Sequence, residues 1–260
     1  MRKMKKFVLL TMLLWVNIAI NAQCQMKNTA FQSGEHLTYN LYFNWKFVWV
    51  KVGSASMSVV QSRYHGVPCY RASLLTQGNK RSDRFFVLRD TLQSYISTSL
   101  VPQYYRKAAK EGDRYYIDEV FYSYPHGKVR AKQHQMNSSG VSSWKQSYTD
   151  NCVYDMLNIF LRARSFEASK WNKGHIYPFT MIDGEKTMSA WLKFQGKTTV
   201  KADNGKRYHC LQLSYMEKEG GSYKRIVDFF VTDDTHHIPV RIDMFLRFGS
   251  AKAFFVGSRF

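Results

Sequence analysis

Asp228, Asp233, Asp234, His236 and His237 form the densest group of possible metal ligands in the chain. Carboxylates and imidazoles suit divalent ions, but the spacing argues for a turn. Asp233-Asp234-Thr235-His236-His237 lies between two strand-like runs and ahead of Pro239, where short polar residues close hairpins. Adjacent histidines would also point to opposite faces of an extended chain. Asp155 and Arg162 lie two turns apart on one helix face, an arrangement suited to a structural ion pair or to holding backbone groups. No Gly-x-Ser-x-Gly elbow, His-Glu-x-x-His helix or phosphate-binding loop is present. Neither a cofactor, a metal nor a catalytic centre is expected; a hydrolase with an unrecognised site is the remote alternative.

Aromatic rings offer a different chemistry. Phe43, Trp45, Phe47 and Trp49 alternate, so a single strand through them would present all four on one face. Such a row could line an apolar cavity or stack on sugars, with Phe160 on a helix as a lid contact. It could equally be core, because Lys46, Val48 and Val50 do not make the opposite face strongly polar.

Several features bound what these residues can serve. Arg2, Lys3, Lys5 and Lys6 precede an apolar run from Phe7 to Ile20, and Ala22 is a small residue before Gln23. This is the pattern of a secretory signal peptide spanning residues 1–22, followed by an N-terminal segment, 23–33. The apolar run is too short for the roughly 20 residues of a spanning helix. Cys24 raises the alternative of a lipid anchor, although Gln23 is not the small residue a lipobox requires. A periplasmic, Gram-negative location follows as the expectation. Of the formal charge of +19, four positive charges belong to the signal, leaving about +15 on the exported chain. Lysines and arginines are spread from Arg63 to Arg259, which does not resemble the focused stripe of a nucleic-acid binder. Anionic lipid, acidic glycan or a membrane surface are the partners that charge fits; it also serves solubility. Oligomeric state is left open. Cys24, Cys69, Cys152 and Cys210 have no Cys-x-x-Cys spacing, and none of the possible pairings is favoured.

The frame that carries these residues reads as β almost throughout. Leu37, Tyr39 and Leu41 alternate with polar neighbours, and Val52 to Val60 alternates again. Further strands are expected at Tyr70–Thr76, Arg84–Leu88, Ser94–Thr98, Gln103–Ala109, Arg114–Tyr124 and Lys128–Gln135. After residue 175 they are expected at Ile176–Ile182, Lys186–Phe194, Lys197–Ala202, Arg207–Met216, Tyr223–Thr232, Ile238–Arg247 and Ala253–Phe260. Asp183-Gly184 and Asn204-Gly205 are hairpin turns. Val153, Met156, Leu157, Phe160 and Leu161 recur at helical spacing, predicting one helix over about 152–165 with Asp150 and Asn151 as caps. Similar landmarks recur around Arg84-Phe85-Phe86-Val87 and Asp228-Phe229-Phe230-Val231. They suggest two like β-meanders, about 34–135 and 176–260, flanking that helix within one domain, 34–260.

The order of these landmarks resembles the exported bacterial family grouped as domain of unknown function DUF3108. The resemblance runs from about Phe31 to the C-terminus. It rests on Gly34-Glu35-x-Leu37-x-Tyr39, Gly53-x-Ala55, Tyr154-Asp155 with Arg162, and Asp183-Gly184. It continues through the strand at Cys210, Val231-Thr232-Asp233-Asp234, Ile238-Pro239-Val240 and Gly249. It implies an envelope location and an antiparallel β-fold of barrel-like curvature, and brings no established catalytic residues. The expected fold is all-β: an antiparallel curled sheet or barrel-like β-sandwich with one central helix. The expected function is non-enzymatic binding of an apolar or amphipathic envelope ligand, a lipid or lipid-linked glycan. A structural adaptor acting through protein contacts is the alternative.

Overall fold

The computed structural model describes residues 24–45, 48–246 and 249–260, apart from the side chain of Trp45. The expected signal peptide and its cleavage point near Ala22 lie outside them, as does Phe47. The first half of the chain forms β1 (His36–Trp45), β2 (Val48–Tyr64), β3 (Val67–Gly78), β4 (Leu88–Ser97), β5 (Pro102–Glu111), β6 (Arg114–Ser123), β7 (Val129–Met136) and β8 (Ser142–Thr149). A short strand, β9 (Val153–Tyr154), leads into the α-helix α1 (Met156–Arg164). Then follow β10 (Ile176–Asp183), β11 (Lys186–Lys201), β12 (Arg207–Glu219), β13 (Ser222–Thr232), β14 (Pro239–Leu246) and β15 (Gly249–Arg259).

All fifteen described strands belong to one sheet, ordered β8-β7-β6-β5-β4-β3-β2-β1-β15-β14-β13-β12-β11-β10-β9. Sequential strands pair antiparallel through each half, and β1 joins the halves by pairing with β15. Only β9 runs parallel to its neighbour, β10. The sheet does not close through its backbone. Its ends approach through side chains instead: Gln133 Nε2 donates to the Gly184 carbonyl at 2.8 Å, and Lys145 Nζ to the Glu185 carbonyl at 3.0 Å.

Curling gives the sheet an inside, and alternation decides what fills it. Leu37, Tyr39 and Leu41 from β1 and Ala55, Met57 and Val59 from β2 are buried. They join Ile96, Tyr105 and Val120 in one core with Leu157 and Leu161 of the helix. Ile159, from another side of α1, packs in a second core with Phe179, Leu192, Phe194, Leu211 and Leu213. The helix is thus central, buried from two sides, and its stability derives from that packing rather than from its short length. Gly53 permits β2 and β3 to meet: a Cβ there would lie 2.1 Å from the Gln77 carbonyl oxygen.

Local boundaries differ from the sequence reading in instructive ways. The helix starts at Met156, not 152, because residues 153–154 are taken by β9; Asp155, rather than Asp150 or Asn151, is its cap. The strand expected at Arg84–Leu88 is not formed: residues 82–84 make a 3-10 turn, and β4 begins only at Leu88. The two strands expected at 186–194 and 197–202 are one, β11, with an irregularity between Phe194 and Gly196. β8 has no counterpart in the expected strands. The aromatic landmarks of the suggested repeat also fall in different places: Phe85 and Phe86 lie in a loop, whereas Phe229 and Phe230 lie within β13.

Candidate ligand-binding surface

The hairpin between β1 and β2 rearranges the predicted row of rings. Trp45 pairs with Val48, Asn44 with Trp49 and Phe43 with Val50. Residues directly paired share a face, so Trp49, opposite Asn44, lies on the face away from Phe43. The single-strand row expected from alternation is therefore not formed. Phe43 is half-buried, and its ring explains Gly249, where a Cβ would sit 2.9 Å from the Phe43 Cζ. Trp49 is exposed, with Lys252 Nζ 4.2 Å from its ring centre. Phe160 packs on Phe229 of β13, with centroids 5.6 Å apart, three strands round the sheet from β1.

The acidic and histidine residues near 233 build a turn. Asp234 Oδ1 accepts from the backbone amides of His236 and His237 and from the Thr232 hydroxyl. Asp233 pairs with Lys197, while Asp228 accepts from Ser214 and Gln212. Asp155 and Arg162 act separately. Asp155 caps α1 by accepting from the Asn158 amide at 2.9 Å and also accepts from Ser94. Arg162 donates to the carbonyls of Cys24 and Leu100, tying the N-terminal segment to the helix.

Asp155 carries a measurable consequence. Burial pushes its carboxyl up to about 7 from 3.8, against the hydrogen bonds from Asn158 and Ser94 that favour the charged form. Because the folded value is the higher one, the folded state binds the extra proton between roughly pH 4 and 7. This contribution to stability is present below that window and lost as pH rises through it. Asp155→Asn stays neutral and keeps a good cap. Its urea midpoint is expected to decline less over the window than that of the unaltered protein; equal slopes would show that Asp155 does not set the dependence.

A larger constellation lies on the outer face of the first half-sheet. Tyr105, Val120, Tyr122, Ala131 and Gln133 are buried inside, so their neighbours in sequence face outward. Register places Arg71, Tyr95, Tyr104, Phe121, Lys132 and Gln146 in one row across β3 to β8. The adjacent row is Ser73, Gln93, Arg106, Glu119, His134 and Trp144. Rings form a continuous ladder: Tyr64 to Tyr104 at 5.8 Å, Tyr104 to Phe121 at 5.0 Å and Phe121 to Trp144 at 6.1 Å. His134 stacks on Trp144 at 4.3 Å, and Lys132 Nζ lies 4.3 Å from the same ring.

Glu119 fixes the centre of this surface. It accepts from the Tyr104 hydroxyl, meets His134 Nδ1 at 2.8 Å and lies 3.7 Å from Arg106 Nε. Burial first, then this hydrogen bond, holds the Tyr104 hydroxyl well above the usual tyrosine range; it therefore remains a donor. Arg71, Lys132 and Trp144 reach solvent, so the face combines stacked rings with cations. Sequence reasoning overlooked it because its members come from seven strands, β2 to β8, and meet only through register.

Two clefts adjoin the disulfide between Cys24 and Cys152, whose Cα atoms are 5.5 Å apart. One, of about 220 Å³, is lined by Cys24, Gln25, Ser99, Gln103 and Tyr124. The other, of about 390 Å³, is lined by Cys152, Tyr177, Phe179, Trp191 and Tyr223. The first is smaller than the roughly 300–1,000 Å³ of small-molecule sites, and the second lies at the low end of that range. The bond also engages the thiol on which a lipid anchor at Cys24 would depend, while Cys69 and Cys210 are free and buried. No described helix is long and apolar enough to cross a membrane.

One open, curled antiparallel sheet wrapped round a helix defines the class: an all-β, barrel-like protein. The family model for proteins of unknown function DUF3108 matches residues 38–256, and the chain belongs to that family. Among curated proteins no relative matches. The fold is similar to the crystal structure of a beta-barrel-like DUF1849 protein from Brucella abortus, with TM-score 0.55 and 10% identity over 90% of this chain and 98% of that one. A protein of YmcC-like fold from Bacteroides fragilis aligns over 92% of this chain and all of its own, at 9% identity and TM-score 0.37.

Proposed function

We propose that this is a non-enzymatic protein of the cell envelope that binds an anionic, amphipathic ligand of the lipid-linked glycan class on the outer face of β3 to β8. The observation that carries the reading is the pair of adjacent rows: Tyr95, Tyr104 and Phe121 lie side by side between Arg71 and Lys132, with Arg106 and Trp144 in the row beside them. Flat rings offer apolar area at small entropic cost, and the cations supply charge complementarity. The concave side of the sheet is filled by the helix and its two cores, which leaves the convex side to meet a ligand. The disulfide suits an oxidising compartment, in keeping with export.

Calorimetric titration with an anionic glycan, in free and lipid-linked forms, tests the proposal. Trp144 is 54% exposed, so Trp144→Ala is expected to leave folding intact. Loss of an aromatic anchor should weaken binding about tenfold or more. No binding of either form, or binding unaffected by Trp144→Ala and Lys132→Ala together, overturns the assignment. A second reading is favoured by β8, which ends the sheet with its outer backbone edge unpaired by any described strand. A partner could add a strand there, and retention of a protein rather than a glycan would select that reading.

A further inference from the structure

Three neighbouring connections emerge at the same end of the curled sheet. They are the β1–β2 hairpin, the loop 79–87 between β3 and β4, and the β14–β15 turn. Antiparallel order places them together, since β14, β15, β1, β2 and β3 are consecutive neighbours. Direct contacts hold them there. Asn79 Nδ2 donates to the Lys51 carbonyl at 2.9 Å and Ser82 Oγ to the Val52 carbonyl at 2.7 Å, fastening the loop to the start of β2. Lys252 over Trp49, and Phe43 against Gly249, join the other two connections.

Each connection ends in apolar side chains facing solvent. Phe85 is 81% exposed, Val48 65%, Phe86 47% and Leu246 42%, with Trp49 and Val50 beside them. Basic residues surround them: Lys51, Lys80, Arg81 and Arg84 are all exposed. The one acid of the loop, Asp83, is held by Arg89 through two hydrogen bonds, so it does not offset the surrounding cations. Separate protruding tips do not make a groove for a peptide or a flat platform for a sugar. Apolar tips under a collar of lysine and arginine do fit the headgroup region of an anionic bilayer. There the rings can enter the acyl boundary while the cations meet lipid phosphates.

We infer that this end of the molecule docks reversibly on an anionic lipid surface, with Phe85, Val48 and Trp49 entering the interface. The surface is distinct from the ring ladder on the outer face. Docking here would leave the ladder, which lies toward the other end of β2 to β5, directed away from the membrane.

Sedimentation of the exported form with vesicles is the test. Vesicles of phosphatidylcholine containing roughly a third phosphatidylglycerol should carry the protein down at low salt, and pure phosphatidylcholine far less. Phe85→Ser with Val48→Ser should lower partition about tenfold. Arg81→Gln with Arg84→Gln should lower it about tenfold and flatten the salt dependence. All four positions are exposed, so thermal midpoints should not change. Glycan binding by the same variants should stay at the unaltered level, which separates failure of this inference from failure of the ladder. Absence of binding to the anionic vesicles, equal binding to neutral ones, or indifference to both variant pairs overturns it. So does a solution dimer that the apolar variant dissolves, because the occupant would then be a second copy.

Discussion

Glu35→Gln is expected to lower the free energy of unfolding by about 3–5 kcal/mol, the usual cost of breaking a buried ion pair by removing one partner. Glu35 and Arg164 side chains are each 1% exposed, and their two parallel contacts are 2.5 and 2.8 Å long. Arg164 also donates from Nε and Nη2 to the His236 carbonyl, and the Arg164 carbonyl meets His237 Nδ1 at 2.5 Å. One side chain therefore ties together the entry to β1, the last turn of α1 and the turn before β14. Neutralising Glu35 leaves the guanidinium buried without a counter-charge, with only neutral acceptors, the glutamine amide oxygen and the His236 carbonyl, beside it. Paired replacement separates charge from packing: Glu35→Gln with Arg164→Met removes the stranded cation and should recover part of the loss, though not the bonds to His236. Urea unfolding of both variants decides the matter. A loss below about 1 kcal/mol for Glu35→Gln would place the pair among weak, solvent-screened contacts, contrary to its burial.

That pair also marks where sequence reading stops. Glu35 was legible as part of Gly34-Glu35-x-Leu37-x-Tyr39, but its partner lies 129 residues away, and nothing local distinguishes Arg164 from Arg162. The strands themselves were legible, because Leu37, Tyr39 and Leu41 report burial on one face through their own alternation. Turns at Gly184 and Gly205 were equally plain, since both adopt the positive φ that glycine permits. The β1–β2 hairpin was not, because Lys46-Phe47 carries no turn signal and the alternation continues through it. That one omission placed Trp49 on the wrong face. Asp155 was expected on the helix with Arg162, yet β9 displaced the cap onto it from Asp150 and Asn151. The ring ladder was hidden for a different reason. Tyr64, Tyr104, Phe121 and Trp144 are remote in sequence, and their stacking depends on the register of every strand between them.

The disulfide should account for the other large effect. Cys24 and Cys152 are 128 residues apart, and closing a loop of that size restricts the unfolded chain by up to about 5 kcal/mol in the chain-entropy model. It anchors the segment before β1 at its start, where the Met26 amide donates to the Ser99 carbonyl, the Thr29 amide to Ser165 Oγ, and Arg162 to the Cys24 carbonyl. Cys24→Ser with Cys152→Ser is expected to move the urea midpoint sharply downward, and reductant should do the same to the unaltered protein. The remaining cysteines provide the internal control. Burial raises the Cys69 thiol and pushes that of Cys210 up to about 12, so neither is expected to react in the folded state. Alkylation of the exported form in denaturant without reductant should modify two thiols, mapped by mass spectrometry to Cys69 and Cys210. After reduction it should modify four. Four reactive thiols before reduction, or a midpoint indifferent to reductant, would remove the bond and reopen lipid attachment at Cys24.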